Sequence, residues 1–525
     1  MNRIAIIDLG SNSIRFIIME ISKDGVYRLI YQEKKPIRLA EGMTLKSPLL
    51  TEHAQERALH CLQVYRHIAD AYQVIKIIAV ATAAVRNAHN GSSFLKKVRS
   101  LTHIPMTIVS GKQEAALGFI GVLHTIPMSD FILFDLGGAS LEISLVQNHK
   151  RIHSVSIPIG ALTLTEKFKT GGHVSPAIIK NIQNYIKERF TKIPWLAKAK
   201  LPVIGIGGTV RNLGKIYQRK TNYPLPKVHQ YQISAKNLLP LITHISQCTL
   251  EERRKIPGLS PERNDIITAG ALIIGELIKY TQTKYITISG CGLREGLFYH
   301  WYAPIYDPKG ETYKNMLISS TRNFYNTFPH ENDKHTRFVT ALALSLFDQW
   351  QQTLQLPNYV RNILYTAALL HDTGKYINYY NHEKHSTYMI SHARIYGWTH
   401  KEQIMCAVTC AFHHRFSAKV LKSIPEISIL NEKDLIQVKT ISCILALAEA
   451  LDAGYDESIS QIIGNTKKEI LNLRVYLKGN HLHIYQYTTK QITETFRKII
   501  NRPLHIEWYP DSQKQELIQL MADLL

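Results

Sequence analysis

Two short segments of the sequence repeat one pattern of an acidic residue, a glycine turn and hydroxyl side chains. Residues 8–13 read DLGSNS and residues 135–140 read DLGGAS, at a constant offset of 127 positions. Glycine lets backbone N–H groups approach an anion closely, serine hydroxyls add donors, and an aspartate can hold Mg²⁺ through water. Two such turns in matched surroundings therefore predict a phosphate chain that is held from two sides.

The elements around these turns form two similar halves. Each turn lies between apolar runs that are typical of strands, and a third such run follows after a short turn. Helical patterns and further strands come next in both halves, which predicts an α/β architecture. The predicted strands are 3–8, 14–21 and 26–33 in the first half and 131–135, 141–147 and 151–157 in the second.

The character of the sequence changes after residue 310. Residues 312–465 have a nearly continuous helical pattern. Residues 471–477 and 481–487 then alternate like a β-hairpin around Gly479-Asn480, before a helix at 490–500 and a tail of one strand and one helix. Two α/β lobes, an all-α domain and a small C-terminal α/β unit are therefore expected. Their predicted ranges are 1–125, 126–305, 312–465 and 466–525.

The composition is that of a globular protein with a strongly basic balance. The formal net charge is +22, and residues 151–250 alone contribute +13. Such an excess favours a polyanionic partner, which could be nucleic acid, anionic lipid or a phosphate polymer. An ordinary basic, solvated surface is the plain alternative.

Cysteine usage and hydropathy bear on the compartment. The six cysteines are scattered without a CxxC pair, which indicates a reducing environment rather than a disulfide framework. No apolar window reaches the roughly 18 residues of a transmembrane helix, and the first apolar run is too short for a signal peptide. We expect a cytoplasmic protein, and the basic surface leaves peripheral attachment to a membrane open.

Seven segments occur in the order found in one enzyme family. They are DLGSNSIRF, ATAAVRNAHN, VSGKQEAALGFIGV, DLGGASLEISLV, IGIGGTVRNL, LSPERNDIITAGALI and SGCGLREGL. The sequence therefore resembles the exopolyphosphatase/guanosine pentaphosphate phosphatase family, within the actin–Hsp70–sugar kinase superfamily. The resemblance covers essentially residues 1–300 and implies two RNase H-like, actin-like lobes. The rest of the chain resembles the long form of the family, which has an HD-type domain.

The resemblance implies roles for four acidic residues. Glu114 falls on the general base of the family, which orients and deprotonates the attacking water. Asp135 and Glu142 fall on positions that serve Mg²⁺ (or Mn²⁺), and Asp8 is the matching acid of the first lobe. A metal is needed there because it screens the charge of a phosphoanhydride. A solvated surface carboxylate is the alternative interpretation of Glu114 and Glu142.

Phosphate contacts are implied in the same way. Arg86 falls on a phosphate-binding arginine, whose guanidinium suits contact through two N–H groups. Ala139 stands where the family often has a third glycine, and a left-handed backbone there would cost about 1–2 kcal/mol. Asn12 fills the equivalent place in the first turn, which indicates that the turn tolerates a Cβ atom. The residues expected to donate to phosphate are Ser11, Asn12, Ser13, Gly137, Gly138, Ser140, Gly207, Gly208 and Thr209.

A second group of candidate ligands lies in the helical region, which resembles the HD phosphohydrolase superfamily. The candidates are His335, His371, Asp372 and Asp452 for one metal, and His385 with His413 or His414 for another. Imidazole and carboxylate together suit Mn²⁺, Fe, Ni²⁺ or Zn²⁺. A second divalent metal is thus implied. A purely structural role, as a scaffold for a polymer channel or a dimer contact, stays open, and so does an independent hydrolase.

These observations predict an exopolyphosphatase that releases terminal orthophosphate from inorganic polyphosphate by Mg-assisted attack of water in the cleft between two lobes. Guanosine pentaphosphate 5′-phosphohydrolase is the first alternative, with the same chemistry on a nucleotide. The basic segment favours the polymer, because each neutralised phosphate gains from counterion release. A non-enzymatic polyanion-binding protein and a sugar or acetate kinase are remoter alternatives. The expected partners are polyphosphate and a second copy of the chain in a homodimer.

Overall fold

A computed structural model describes residues 1–43, 48–329, 333–413, 418–467, 469–479 and 481–513. The chain divides into two compact units, unit 1 (Met1–Met316) and unit 2 (Leu317–Leu525). All six cysteines are free and buried, as the absence of a disulfide framework requires. Across the described ranges, no helix combines the length and the apolar character that crossing a membrane would need.

The first sheet of unit 1 contains five strands in the order β3–β2–β1–β4–β5. The first three form an antiparallel meander, and β4 and β5 continue the sheet in parallel with β1. The predicted strands of this half are confirmed. The bounds are β1 (Asn2–Leu9), β2 (Ser13–Ile21), β3 (Tyr27–Pro36), β4 (Lys76–Ala81) and β5 (Met106–Ile108).

The second sheet of unit 1 repeats this arrangement with one added strand. Its order is β10–β11–β9–β6–β7–β8, in which β6, β7 and β8 form the antiparallel meander and β9 is parallel to β6. The repeated order confirms the two RNase H-like halves. The bounds are β6 (Phe131–Leu136), β7 (Leu141–Gln147), β8 (Lys150–Ile157), β9 (Val203–Gly207), β10 (Gln232–Ser234) and β11 (Tyr285–Ile288).

Helices cover both faces of each sheet. Those of unit 1 are α1 (Glu52–Ala71), α2 (Ala83–Asn87), α3 (Gly91–Thr102), α4 (Gly111–Leu123), α5 (Ala161–Phe168), α6 (Pro176–Phe190), α7 (Pro194–Lys198), α8 (Gly208–Lys220), α9 (Ala235–Gln247), α10 (Leu250–Arg254), α11 (Ile267–Thr281), α12 (Leu293–Tyr306) and α13 (Glu311–Lys314). Alternate residues of β1 pack on opposite sides: Ile7 lies in one core with residues of α1, and Ile6 lies in another with Leu297 of α12. Burial on both faces explains the continuous apolar runs of the sequence.

Unit 2 begins with helices and ends with a small sheet. Its helices are α14 (Met316–Tyr325, starting at the unit boundary), α15 (Asp333–Trp350), α16 (Asn358–Leu370), α17 (His382–His392), α18 (His400–Ala411), α19 (Ala418–Lys422), α20 (Glu432–Ala450) and α21 (Leu482–Ile500). The sheet has the order β12–β13–β14, with β12 (Ile459–Lys467), β13 (Ile470–Leu477) and β14 (Leu504–Pro510).

The structure corrects two expectations in this region. Residues 459–465 form strand β12, whereas the sequence predicted a helix, and they pair antiparallel with β13. The observed hairpin is therefore β12–β13, and the predicted second strand, 481–487, is the first part of α21. The predicted domain boundary at 465/466 falls inside β12, and the predicted C-terminal helix lies outside the described residues.

The second error has a physical cause. The segment HLHIYQY alternates apolar and polar residues, which favours a strand when it is taken alone. The buried residues of α21 are instead Tyr485, Thr489 and Phe496, which lie on one helical face. The Tyr485 hydroxyl also accepts a hydrogen bond from Ser458 Oγ at 2.7 Å. Burial of that face outweighs the local alternation.

Candidate active site

The two repeated turns have the same backbone geometry and touch each other. Gly10 N donates to Ser13 O at 3.1 Å, and Gly137 N donates to Ser140 O at 3.0 Å. A Cβ atom placed on Gly138 would lie only 3.1 Å from Ser11 Cβ. The structure thus brings the first and second turns together in unit 1.

A third glycine approaches the second turn from the start of α5. A Cβ atom on Gly160 would lie 2.3 Å from Gly138 O and 2.4 Å from Ala139 N, so no side chain fits there. Ala139 itself has no positive φ, so its Cβ atom introduces no backbone strain. The departure from a third glycine at this position is therefore harmless to the turn.

The loop after β9 is the third glycine-containing segment that was expected near phosphate. Gly207 has φ +113°, and a Cβ atom placed on it would lie 2.3 Å from Leu136 O. The backbone therefore requires glycine at this position. Thr209 Oγ1 is buried without a hydrogen-bond partner among the described residues, and so are both amide atoms of Asn12. Unsatisfied buried polar atoms are costly, and they fit a site that is completed by a polar ligand.

Glu114 lies in the first turn of α4, whose N-terminus is fixed by a capping box between Ser110 and Gln113. Arg86 Nη1 donates to Glu114 Oε2 at 2.9 Å and to Val109 O at 2.8 Å. One guanidinium thereby holds the Glu114 carboxylate and anchors itself to the backbone. The sequence-predicted base and the sequence-predicted phosphate-binding arginine are therefore direct neighbours.

Asp135 and Glu142 stand opposite each other on β6 and β7. Ser156 Oγ donates to Glu142 Oε1 at 2.7 Å, whereas Glu142 Oε2 is buried without a partner among the described residues. A Cβ atom on Gly118 would lie 3.8 Å from Asp135 Oδ2, which places α4 close to this pair. The predicted metal-binding acids and the predicted base thus belong to one group.

Burial and mutual repulsion raise the pKa values of this group. Burial raises the pKa of Asp135 to about 6. Burial, followed by the charge of Asp135, raises the pKa of Glu142 to about 7. Burial and then the charge of Glu142 raise the pKa of Glu114 well above its ordinary value, against the opposing effect of Arg86. Three carboxylates, one of which has an unsatisfied oxygen, fit a divalent cation bound by oxygen.

Asp8 has different surroundings from Asp135. Its strand partner is Arg15, and the two side chains form an ion pair with Arg15 Nη1 3.5 Å from Asp8 Oδ2. Burial raises the pKa of Asp8, while Arg15 and Arg294 oppose that shift. The charges of Arg15 and Arg211 act on both aspartates, and the difference is that Asp135 has Glu142 as its strand partner where Asp8 has Arg15. The predicted metal role of Asp8 stays a prediction.

A group of arginines in unit 1 was missed by the sequence analysis, of which Arg263 and Arg294 are buried and Arg15 and Arg211 are half-buried. Arg211 Nε donates to Gly207 O at 3.1 Å. Burial and then the charges of Arg15 and Arg294 lower the pKa of Arg211 to about 9. Burial and the charge of Arg15 likewise lower the pKa of Arg263 to about 10. This arginine cluster (Arg15, Arg211, Arg263 and Arg294) concentrates positive charge in unit 1, which suits a polyanion.

The sequence did contain one signal for the cluster. The offset of 127 positions that aligns Asp8 with Asp135 also aligns Arg15 with Glu142. A cation in one repeat therefore replaces an anion in the other. The remaining arginines lie in quoted motifs, but burial of an arginine has no signature in a single sequence.

Most of the predicted metal ligands of unit 2 also lie close together, but the set of residues differs from the predicted one. The ligand atoms of His335, His371 and Asp372 lie within 4.8 Å of one another, and so do those of Asp372, His382 and His413. His382 takes the place expected for His385, and Asp452 contacts the far side of the His335 ring. His414 lies outside the described residues.

Comparison with known proteins agrees with this fold. A sequence profile of the Ppx/GppA phosphatase family matches residues 17–303, and one of Ppx/GppA phosphatase domain III matches residues 318–493. The chain is 31% identical over 301 residues to a bifunctional 3-dehydroquinate synthase/phosphatase of Fusobacterium nucleatum. That match covers 54% of this chain but only 44% of the relative.

Two further matches cover most of the protein compared. The chain is 24% identical over 500 residues to a guanosine-5′-triphosphate,3′-diphosphate pyrophosphatase of Photobacterium profundum, which covers 93% of this chain and 95% of the relative. A crystal structure of an exopolyphosphatase from Cytophaga hutchinsonii superposes with a TM-score of 0.54 at 26% identity. That superposition covers 58% of this chain and 99% of the other.

The duplicated sheets with their touching turns define a two-lobed, actin-like α/β protein. The profile matches extend this class to a family: the chain belongs to the Ppx/GppA phosphatase family, with its domain III in unit 2. The expected enzyme class, a hydrolase of phosphoanhydrides, is thereby confirmed.

The close approach at Gly160 yields a stability prediction. Gly160→Ala should displace the second turn and lower the free energy of unfolding by about 2 kcal/mol or more, with loss of activity. Gly172→Ala is the matched control, because a Cβ atom there meets no atom within 4 Å. Thermal unfolding checks both. Equal melting temperatures for the two variants would contradict the packing described here.

The raised pKa of Glu142 predicts a dependence of stability on pH. The folded protein holds the Glu142 proton up to about pH 7, so between its ordinary pKa and that value folding binds protons. The free energy of unfolding must therefore fall as pH rises through this window. In metal-free buffer, the free energy of unfolding of Glu142→Gln should be higher than that of the wild type by about 1–3 kcal/mol near pH 8. Near pH 4.5 the two values should be almost equal.

Denaturant unfolding at the two pH values measures this difference. The exposed Glu188→Gln is the control and should leave the pH dependence unchanged. A Glu142→Gln protein that is less stable than the wild type at the higher pH would show that burial of this charge carries no cost.

Proposed function

We propose that the cleft of unit 1 is the active site of an exopolyphosphatase, which releases orthophosphate from the end of inorganic polyphosphate. The observation that carries the proposal is the closeness of a carboxylate group (Glu114, Asp135 and Glu142) to the arginine cluster, since the charges of Arg15 and Arg211 act on Asp135. Arginines suit the phosphate oxygens, and the carboxylates suit the cation that accompanies them. The paired turns add backbone and hydroxyl donors at the base of the cleft.

The steps of the reaction follow from the position of Glu114. Its carboxylate takes a proton from water while the water oxygen forms a bond to the terminal phosphorus. The bridging P–O bond breaks, the shortened chain leaves with the bridging oxygen, and Glu114 returns its proton to solvent. Burial moves the pKa of Glu114 upward, toward neutral pH, and a general base is most effective when its pKa lies near the pH at which the enzyme works.

The other residues bind and orient. Arg86 holds Glu114 through Nη1 and has further N–H groups that can meet the terminal phosphate. Asp135 and Glu142 would hold Mg²⁺ (or Mn²⁺), for which the unsatisfied Glu142 Oε2 is the supporting observation. When bound, the cation would screen the charge of the phosphoanhydride oxygens.

The choice between polymer and nucleotide depends on the basic surface. The +13 of residues 151–250 would reward a long polyanion more than a single nucleotide, because each contact releases counterions. Guanosine pentaphosphate is the second candidate substrate, supported by the relative from Photobacterium profundum that matches nearly the whole chain. A homodimer and a cytoplasmic location remain predictions from the sequence.

The test compares phosphate release from long polyphosphate and from guanosine pentaphosphate with Mg²⁺ present. Glu114→Gln should lower kcat by about 10²–10⁴-fold on either substrate, because the general base is lost. The exposed Glu56→Gln is the control and should keep the wild-type rate. A higher kcat/KM on the polymer, with strong inhibition by salt, supports the proposal.

Two other outcomes are informative. A higher kcat/KM on the nucleotide would replace the polymer with the second candidate while keeping the site. Wild-type rates in Glu114→Gln would contradict the assignment of the base.

The arginine cluster gives a separate prediction. Arg211→Gln should lower kcat/KM on both substrates by about 10–100-fold, because a buried charge-assisted contact is worth roughly 1.5–3 kcal/mol. Arg219→Gln, on the exposed side of the same helix, should leave kcat/KM for guanosine pentaphosphate unchanged. Steady-state kinetics measure both effects. If the two variants had equal effects on kcat/KM, Arg211 would not contact the substrate.

A further inference from the structure

A segment of the first repeat reaches the second repeat through two ion pairs. Residues 34–40, the strap, contain the end of β3 and the loop that follows it. Lys34 Nζ lies 2.7 Å from Glu262 Oε1, and Arg38 Nη1 lies 2.8 Å from Asp265 Oδ2. The four side chains are only 28–37% exposed, so solvent screens these pairs less than it screens fully exposed ones. The reaction proposed above does not use either pair.

The strap is also held on the first glycine turn. The backbone N–H groups of Ile37 and Arg38 both donate to Asn12 O, at 3.1 and 3.0 Å. The backbone N–H of Ala40 donates to Ser11 O at 3.0 Å. The strap therefore connects the turn of the first repeat to an acidic segment of the second repeat.

The two acids of the ion pairs stand on either side of Arg263 in the sequence. Arg263 is buried, and a Cβ atom on Gly208 would lie 1.8 Å from its Nη2 atom, so its guanidinium lies against the loop after β9. The charges of Glu262 and Asp265 oppose the lowering of the pKa of Arg263. Neither acid forms an ion pair with Arg263 in the part of the chain that the structure describes, because each is paired with a strap cation.

This arrangement has two consequences for Arg263. The ion pairs hold the segment that contains it, and they engage the two carboxylates that could otherwise pair with its guanidinium. A guanidinium that is paired with a carboxylate has fewer N–H groups left for a phosphate. We propose that Lys34 and Arg38 are positioning residues, whose ion pairs keep the guanidinium of Arg263 available to the phosphate chain of the substrate.

The inference rests on the proposed function, because it assigns the arginine cluster to phosphate. The competing explanation is that the strap cations attract the polyanion directly, through their own charge. In that case any positive charge added nearby would strengthen binding. The positioning role predicts the opposite for Glu262→Lys, because the new lysine would repel Lys34 and open the contact between the repeats.

The experiment measures binding to the full chain by calorimetry with Mg²⁺ present. The probe is diimidotriphosphate, an analogue of tripolyphosphate whose P–N–P bridges resist hydrolysis. Glu262→Lys should weaken binding about 3–10-fold, although it makes the protein more positive. Lys34→Glu should weaken binding as well. The double variant Lys34→Glu/Glu262→Lys restores an ion pair with reversed charges and should return to within about twofold of the wild type.

A second variant tests the other ion pair. Asp265→Asn keeps the shape of the side chain, makes the protein more positive and weakens the contact with Arg38. It should also weaken binding, by about threefold. Direct attraction predicts tighter binding in this variant.

Two matched controls change charge without touching the strap contact. Glu251→Lys makes the same change as Glu262→Lys at an exposed side chain of the second repeat, which pairs with Arg254. Lys35→Glu makes the same change as Lys34→Glu at a neighbouring residue of β3. Both controls should leave the dissociation constant within about twofold of the wild type. Thermal unfolding establishes that each variant is folded.

Steady-state kinetics on long polyphosphate separate positioning from a general loss of structure. Glu262→Lys should raise KM by about 3–10-fold and leave kcat within about twofold, because Glu114 and Arg86 are unchanged. The double variant should recover the wild-type KM. A merely structural role would lower kcat as well.

The contrary results are distinguishable. Tighter binding in Glu262→Lys and Asp265→Asn, or a folded double variant that binds as weakly as Glu262→Lys, would overturn the positioning role. A wild type that does not bind the analogue would contradict both the assignment of the arginine cluster and the role of the strap. The predicted pattern of binding without phosphate release by the wild type would contradict the proposed reaction alone.

Discussion

The contact between the two glycine turns sets the geometry on which unit 1 depends. Gly138 of one repeat packs against Ser11 of the other, and Gly160 closes behind Gly138 without room for a side chain. Strands β1 and β6 end at these turns, so the aspartate of each repeat is delivered to one place. A side chain at the contact would force the two turns apart, and the two aspartates would no longer be held in one place.

The two repeats differ in the charge that faces the aspartate across the strand pair. Opposite Asp135 the second repeat has Glu142, whereas opposite Asp8 the first repeat has Arg15. Carboxylates with raised pKa values therefore lie near arginines, of which Arg211 and Arg263 have lowered pKa values. In our proposal a cation neutralises the charge of the carboxylates and a phosphate chain neutralises the charge of the arginines. Binding of the substrate would therefore be linked to binding of the metal.

Much of the fold of unit 1 could be predicted, because strand periodicity and the repeated turn are local features. The proposed site could be predicted only in part: motif residues such as Glu114 and Arg86 could be named, but the positions of Arg211 and Arg263 in the fold depend on packing. In unit 2 the alternation of residues 481–487 was misleading, since burial of Tyr485 and Phe496 decides their conformation. The presence of His382 instead of His385 beside Asp372 and His413 likewise depends on which way each side chain faces.

In our proposal Asp135, Glu142 and Glu114 form a cation site, and burial, which raises the pKa of Glu142 to about 7, keeps a proton on that carboxyl near neutral pH. Calorimetry of Mg²⁺ binding near pH 6.5, in two buffers of different ionisation enthalpy, measures the protons released. The account predicts clear proton release by the wild type and a smaller release by Glu142→Gln, in which one titrating ligand is missing. Equal release by the two proteins, or none by the wild type, would contradict it.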